Sequence, residues 1–336
     1  MTLVKIESNK PENLLRIELF LSNLCNYKCW YCFPGSNEGT HKWPDVDLVC
    51  KNLAQLLDYY KINLNKTKFQ IHVIGGEPTM WSKFEIFAKY FKENYDCIIT
   101  ISSNGSRTIR WWEEHGQNFD EVMLSCHHEQ VDIDHYINVA NVLYKKNVWT
   151  TAMVLMDPFA WDKCVALVET LKKASKGWCV TSLEVYHHTI TYTEDQKKYL
   201  VKNLKKLPNI FYYLKNKKLN HKNPTVYFEN GSKKKTNSPS WISVNGLNKF
   251  YGWKCNVGID TLYINKSGEM SGACGANLYN LDFKYNLFDI EFPTKFQPTL
   301  IPTTCNQMEC KCQPEINCRK EKQSNQKLIP IVPILN

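Results

Sequence analysis

The 336-residue chain has no apolar run long enough to span a membrane. Its first residues, Met1-Thr2-Leu3-Val4-Lys5-Ile6-Glu7, lack the continuous apolar core of a signal peptide. No internal repeat stands out, so a solenoid or propeller is excluded. Acidic residues are outnumbered, and the formal net charge is +9. Much of that excess lies between Lys197 and Lys235. A basic segment of this kind admits an anionic partner, nucleic acid included, but a solvated lysine-rich helix face has the same composition. Nucleic acid is therefore a possible partner and not the favoured one. These absences set the expectation of a cytoplasmic protein with no membrane partner.

Cysteine is abundant, with 14 residues. Reducing compartments disfavour disulfides, so clustered cysteines there read as metal ligands. Cys25, Cys29 and Cys32 share one short loop, and Cys255, Cys274, Cys305, Cys310, Cys312 and Cys318 crowd the last part of the chain. Cys50, Cys97, Cys126, Cys164 and Cys179 are scattered and read as small buried apolar residues.

Periodicity gives an alternating string of strands and helices. Leu15, Ile17, Leu19 and Leu21 alternate with Arg16, Glu18, Phe20 and Ser22, so residues 15–22 form a strand that runs into the first cysteine loop. Asp45 caps a helix reaching to about Tyr60. Further strands are expected over residues 69–74, 97–102, 121–125, 148–155 and 180–186, each followed by a helix. Six such units imply parallel strands with right-handed crossovers. The fold class is α/β. An open (β/α)6 barrel fits the count, and a doubly wound sheet would give the same string. Domain boundaries are expected at residues 1–206 for the barrel, 207–252 for a lysine-rich connector and 253–336 for a small cysteine-rich domain. In the connector, Gly231-Ser232-Lys233-Lys234-Lys235 reads as a loop. In the last segment, Asp260–Asn265 and Met270-Ser271 read as a hairpin with Cys255 and Cys274 at its ends.

Three cysteines spaced C-x3-C-x2-C suit a metal that keeps one position open. A closed structural zinc site takes four protein ligands, whereas a [4Fe–4S] cluster on three cysteines leaves one iron free. A zinc loop borrowing a distant fourth ligand is the alternative. One strand–helix unit later, Gly75-Gly76-Glu77-Pro78 ends the second strand. Two glycines allow close backbone approach, and carbonyls with a carboxylate can accept hydrogen bonds from an ammonium. Together with Tyr31 directly before Cys32, these motifs resemble the radical S-adenosylmethionine (radical SAM) superfamily.

That resemblance implies much of the remaining reading. Cys25, Cys29 and Cys32 would ligate a SAM-binding [4Fe–4S] cluster, Tyr31 would lie beside SAM, and Gly75, Gly76, Glu77 and Pro78 would hold its amino group. Ser103 and Asn104 stand at the ribose-contacting position, and Ser125 at the end of the fourth strand. His127 stands where relatives carry an acid, as a group facing carboxylate or substrate. Cys126 is a candidate hydrogen donor, although alternation points it toward the helices if Ser125 and His127 face inward. His187 and His188 could line the pocket. The cysteine-rich end resembles the SPASM/twitch extension, which implies one or two auxiliary Fe–S clusters on Cys255, Cys274, Cys305, Cys310, Cys312 and Cys318, with a zinc knuckle as the alternative.

The implied chemistry is reductive cleavage of SAM to a 5′-deoxyadenosyl radical, which takes a hydrogen atom from substrate, with electrons from an external donor such as flavodoxin or ferredoxin. A peptide or protein substrate, modified by crosslinking, epimerisation or oxidation, is the leading expectation. Only about fourteen residues precede the first strand, too few for a peptide-recognition module, which weakens that expectation slightly. A nucleotide, nucleic acid or other small metabolite is the second reading, and a non-catalytic metal scaffold the third.

Overall fold

The computed structural model describes residues 2–9, 11–185, 191–203, 222–236, 239–271, 286–292, 301–305, 308–310, 316 and 318–323. Two sheets organise them. The larger has eight strands, built from β2 (Leu14–Phe20), β3 (Lys68–Ile74), β4 (Cys97–Ser103), β5 (Glu121–Cys126), β6 (Trp149–Met156) and β7 (Cys179–Glu184), with β11 (Thr261–Ile264) and β12 (Met270–Ser271) added beside β2. Every pairing in it is parallel except that of β12 with β11. The smaller sheet has six strands in the order β13 (Thr303–Thr304), β10 (Lys254–Cys255), β14 (Lys320–Glu321), β1 (Leu3–Asn9), β8 (Lys222–Phe228) and β9 (Lys233–Lys235).

In the large sheet β2 to β7 lie side by side in chain order. A doubly wound sheet requires the order to reverse at a switch point. With no reversal, right-handed crossovers stack every helix on one face. The packing agrees. Leu15, Ile17 and Leu19 of β2 share one core with Val49, Leu53, Leu56 and Leu57 of α1 (Val46–Leu64), Phe84, Phe87 and Phe91 of α2 (Phe84–Asn94), Trp112 of α3 (Ile109–His115), Val139 and Leu143 of α4 (Ile133–Lys145), and Val168 and Leu171 of α5 (Trp161–Ala174). The intervening strand residues line the other, concave face. Among the described residues β7 has no partner on its outer side, so the sheet is an open partial barrel.

Local chemistry fixes the helix starts. The Asp45 side chain accepts from the Leu48 N–H at 2.9 Å and caps α1 as expected, and Asp132 caps α4 in the same way. α1 runs one turn further than its apolar stripe suggested, and Asn65 ends it in the left-handed conformation.

Two expectations about the architecture are corrected and one strand is added. The hairpin at residues 261–271 exists, but it belongs to the barrel sheet: Thr261, Leu262, Tyr263 and Ile264 pair in parallel with Arg16, Ile17, Glu18 and Leu19. Residues Leu3–Asn9, left unassigned by the sequence, form the strand β1 of the smaller sheet. Lys233–Lys235 is a strand on β8 rather than loop, with only Glu229 to Ser232 turning. Strands of both sheets thus come from both ends of the chain. The smaller sheet packs on its own apolar cluster of Ile6, Val226, Ile242, Phe250, Trp253 and Ile316. Among the described residues no helix is long and apolar enough to cross a membrane.

Candidate active site

The cysteine loop leaves the C-terminal end of β2, the end at which barrel sites form. Its foot is held by the glycine turn after β3. The Glu77 N–H donates to the Leu24 carbonyl at 2.8 Å, and the Gly76 N–H to the Ser36 carbonyl at 3.1 Å. Both glycines have positive φ. A Cβ on Gly75 would strike the Phe20 ring, and one on Gly76 would lie 2.1 Å from the Leu24 carbonyl oxygen. The close approach that needs Gly76 is therefore to the cysteine loop itself, and the one that needs Gly75 is to the last residue of β2.

The Glu77 carboxylate is engaged within the protein itself. Oε1 accepts from the Thr79 N–H (3.1 Å), the Thr79 hydroxyl (2.6 Å) and the Ser103 hydroxyl (2.8 Å), and Oε2 accepts from the Asn104 N–H (2.6 Å). It is 1% exposed. Burial raises its pKa, and the donors around it resist that rise. Glu77 thus clamps the β3 turn to the end of β4. Pro78 opens the short turn that follows, and Arg107 donates twice to the Thr79 carbonyl from beyond β4.

Ser103 and Asn104 do lie at the site. The Asn104 amide donates to Asn26 Oδ1 at 2.9 Å and stands 4.0 Å from Cys25 Sγ. Cys25 and Cys32 are half-buried and Cys29 is buried. Cys29 senses both other thiols, and Cys32 senses Cys25. Burial first, then the negative charge of neighbours, pushes Cys29 up to about 12, and burial with Cys25 pushes Cys32 to about 11. Among the described residues no three His, Cys, Asp or Glu side chains converge on a single point that could hold one metal ion. Three thiols on one short loop, with Cys29 near enough to feel the charge of the other two, suit a cluster, whose thiolates bind different irons and need not converge on one. The fit also requires cationic iron to displace the thiol protons.

Tyr31 is buried, with its ring stacked between His127 (5.9 Å) and His128 (5.7 Å). Its hydroxyl lies 3.2 Å from His127 Nδ1. Burial, then the charge of His128, holds His127 down at about 4, so its imidazole is neutral and accepts the tyrosine O–H. Ser125 is half-buried, in register with Met153 of β6. Cys126 is fully buried in the helix-side core with Val122 and Leu124, as strand alternation indicated. Cys50, Cys97 and Cys164 are likewise buried, and Cys179 is half-buried.

Several residues around the loop carried no motif in the sequence. His128 Nε2 lies 3.0 Å from Asp157 Oδ2, and the Trp30 indole donates to the same oxygen at 2.9 Å. Gln130 Nε2 lies 3.8 Å from Cys29 Sγ. Asp157-Pro158 had signalled only the end of a strand. The contact from β6 back to the loop is visible only once the barrel is folded.

At the other end of the chain Cys255, Cys305 and Cys318 are buried and Cys310 half-buried, and all four act on the buried Lys320 ammonium, whose pKa they raise against the effect of burial. Cys255 and Cys318 hydrogen-bond to each other, which draws Cys255 down to about 6 and, with burial, pushes Cys318 up. Four of the six expected ligands thus lie within electrostatic reach of one lysine, although among the described residues no three His, Cys, Asp or Glu side chains form a group that could hold a metal ion. Cys274 and Cys312 lie outside the described residues, as do His187 and His188.

Residues 19–171 match the Radical SAM superfamily. Somewhat under half of the chain is thus similar to a radical SAM domain. Over 90 residues it is 30% identical to an S-adenosylmethionine-dependent nucleotide dehydratase from Fibrobacter sp. strain UWH6, covering 27% of each chain. Over 109 residues it is 28% identical to the GTP 3′,8-cyclase of Photorhabdus laumondii, covering 30% of each. The chain thus spans less than about a third of the length of these curated relatives. Among solved structures it resembles native anSMEcpe with bound AdoMet and Cp18Cys peptide, with TM-score 0.51 and 16% identity over 82% of this chain and 78% of that one. A histidine-tagged form of anSMEcpe with bound AdoMet matches with the same values. At that identity the radical SAM domain and these structures have the fold in common.

Proposed function

We propose that the enzyme binds a [4Fe–4S] cluster on Cys25, Cys29 and Cys32, cleaves SAM reductively, and modifies a peptide or protein by crosslinking, epimerisation or oxidation. A cluster held on these three thiols would supply the electron for reductive cleavage of SAM, and SAM bound beside it would supply the hydrogen-abstracting group. The observation that carries the reading is the pinned loop: three thiols on one loop at the end of β2, tied by backbone hydrogen bonds to the Gly75–Gly76–Glu77 turn and with Cys25 flanked by Asn104. Glu77 holds the two turns together. Tyr31 and the neutral His127 close the wall at the end of β5.

Gly75, Gly76, Pro78, Ser103, Asn104 and Ser125 supply the backbone and polar edge toward SAM in this reading. Cys255, Cys305, Cys310 and Cys318, with Cys274 and Cys312, are read as ligands of one or two auxiliary Fe–S clusters in a SPASM/twitch-like region. The wealth of thiols fits the cytoplasm, where a flavodoxin or ferredoxin could donate electrons. Action on a nucleotide is the second reading, favoured by the activities of the two curated relatives.

The test is anaerobic reconstitution with iron and sulfide, addition of dithionite and SAM, and mass spectrometry of 5′-deoxyadenosine. Formation by the native enzyme but not by Cys29→Ala supports the reading. An iron-replete native enzyme that forms none, with either a peptide or a nucleotide pool present, rejects it.

A further inference from the structure

The concave face of the barrel holds a second polar constellation, which the SAM site does not use. Glu18, His72 and Ser102 stand on the adjacent strands β2, β3 and β4. Glu18 is in register with His72, and His72 with Thr100, two residues before Ser102. His72 Nδ1 lies 2.8 Å from Glu18 Oε2, and His72 Nε2 lies 3.0 Å from Ser102 Oγ. Arg16 Nε donates to Glu18 Oε1, and Arg16 Nη2 lies 3.1 Å from His72 Nδ1.

The charges select the tautomer. Burial alone would raise the Glu18 carboxyl, but the Arg16 charge and the hydrogen bonds from His72 and Arg16 outweigh it and hold it at about 2. Glu18 is therefore ionised and can only accept. The shorter contact to Nδ1 is the one from Glu18, so the ring carries its proton on Nδ1. Nε2 is then the acceptor for the Ser102 O–H.

Burial is graded along this chain of groups. Glu18 is 3% and His72 6% exposed, whereas Ser102 is half-buried beside half-buried Met123. The carboxylate is the closed end and the hydroxyl the open end. Its neighbour Ser103 points the other way, to Glu77. A buried carboxylate, imidazole and hydroxyl linked in this order activate the hydroxyl. Charged groups inside a barrel cost desolvation energy that packing alone does not repay.

We propose that Ser102, His72 and Glu18 form a proton relay on the barrel floor, taking a proton from a hydroxyl or amino group of the substrate. In the step, the substrate X–H bond breaks and its electron pair stays on X. The proton goes to Ser102 Oγ while the Ser102 proton moves to His72 Nε2. The imidazolium is held by Glu18, and no electron is transferred. The proton returns by the reverse path when product leaves. Ser102 touches substrate, and His72 and Glu18 act through it.

The relay stands whether or not SAM is the cofactor, and its test does not read SAM cleavage. The full-length reconstituted enzyme is treated with diisopropyl fluorophosphate. Ser102 Oγ attacks phosphorus, fluoride leaves, and the hydroxyl proton passes to Nε2. Peptide mass spectrometry is expected to find the adduct on Ser102. Its rate of formation is expected to fall about a hundredfold or more in Glu18→Gln and in His72→Gln, and to recover in part in Glu18→Asp. An unmodified Ser102 in folded protein, or a rate unchanged in both variants, overturns the proposal and leaves these residues as packing. Should the variants not fold, nitrogen-15 NMR of His72 in the native enzyme decides: a proton on Nδ1 with Nε2 accepting supports the relay, and the opposite tautomer overturns it.

Discussion

The Gly76 Cα sits so close to the Leu24 carbonyl that an added Cβ would lie 2.1 Å from its oxygen. The β3 turn and the cysteine loop are thus one rigid unit, joined also by the Glu77 N–H to Leu24 carbonyl bond of 2.8 Å. Gly76→Ala must displace backbone and also strain a residue at φ +51°. It is expected to cost about 3 kcal/mol or more in urea unfolding and to lower the iron bound after reconstitution.

Glu77→Gln replaces two acceptor oxygens by one acceptor and one donor, facing four donors. At least one hydrogen bond becomes donor against donor in a buried site. The expected loss is about 2–3 kcal/mol of stability, read by chemical denaturation. SAM affinity, read by calorimetry, is expected to fall with it, because Asn104 loses its backbone anchor.

The outer contact on Cys29 gives a prediction specific to the iron reading. Gln130→Leu removes the amide 3.8 Å from the Cys29 sulfur. Less hydrogen bonding to a ligating sulfur makes a cluster harder to reduce. The reduction potential in an EPR-monitored titration is expected to move negative, with iron still bound.

The auxiliary site is tested by counting. Cys318→Ala removes one of the four thiols gathered around Lys320. If these thiols hold a [4Fe–4S] cluster, the variant binds about four fewer irons per chain and the Cys25–Cys32 site keeps its own. Zinc in place of iron at this site would be seen in the same metal analysis.

Acid is expected to destabilise the protein in two windows. His127 is held at about 4, below its usual 6.5, so the unfolded chain takes up its proton first as pH falls. Stability from this group is complete above about pH 6.5 and is lost toward pH 4. Glu18 is held at about 2, so its contribution is complete above about pH 4.5 and is lost toward pH 2. His127→Gln should flatten the first slope and Glu18→Gln the second, in denaturation series across pH.

The sequence was most informative where one signal dictated one geometry. Asp45 capped its helix, β2 to β7 followed in chain order, and the three spaced cysteines fell on one loop at a strand end. It was least informative where partners lay far apart. Nothing local in Thr261–Ile264 says that its neighbour is β2, more than two hundred residues earlier, because a short buried strand reads alike in any sheet. Among the described residues Leu3–Asn9 pairs only with residues beyond 221, so its pattern had no visible partner. The motif named Glu77 but not its partners within the protein, Thr79, Ser103 and Asn104, because a motif names a residue and not its direction. The Glu18–His72–Ser102 chain of hydrogen bonds has no spacing signature, since each member comes from a different strand.

The placement of β11 has a consequence for the order in which the protein is made. Among the described residues the edge of β2 toward β11 is covered only by residues 261–264, and β1 finds its neighbours only in strands made after residue 221. While the first two-thirds of the chain is on the ribosome, a strand edge beside the cysteine loop is open and prone to pair with another chain. Completion of the chain closes that edge. A stop codon after residue 206 therefore leaves a sticky fragment rather than a smaller enzyme, and iron is best supplied once synthesis has passed β11.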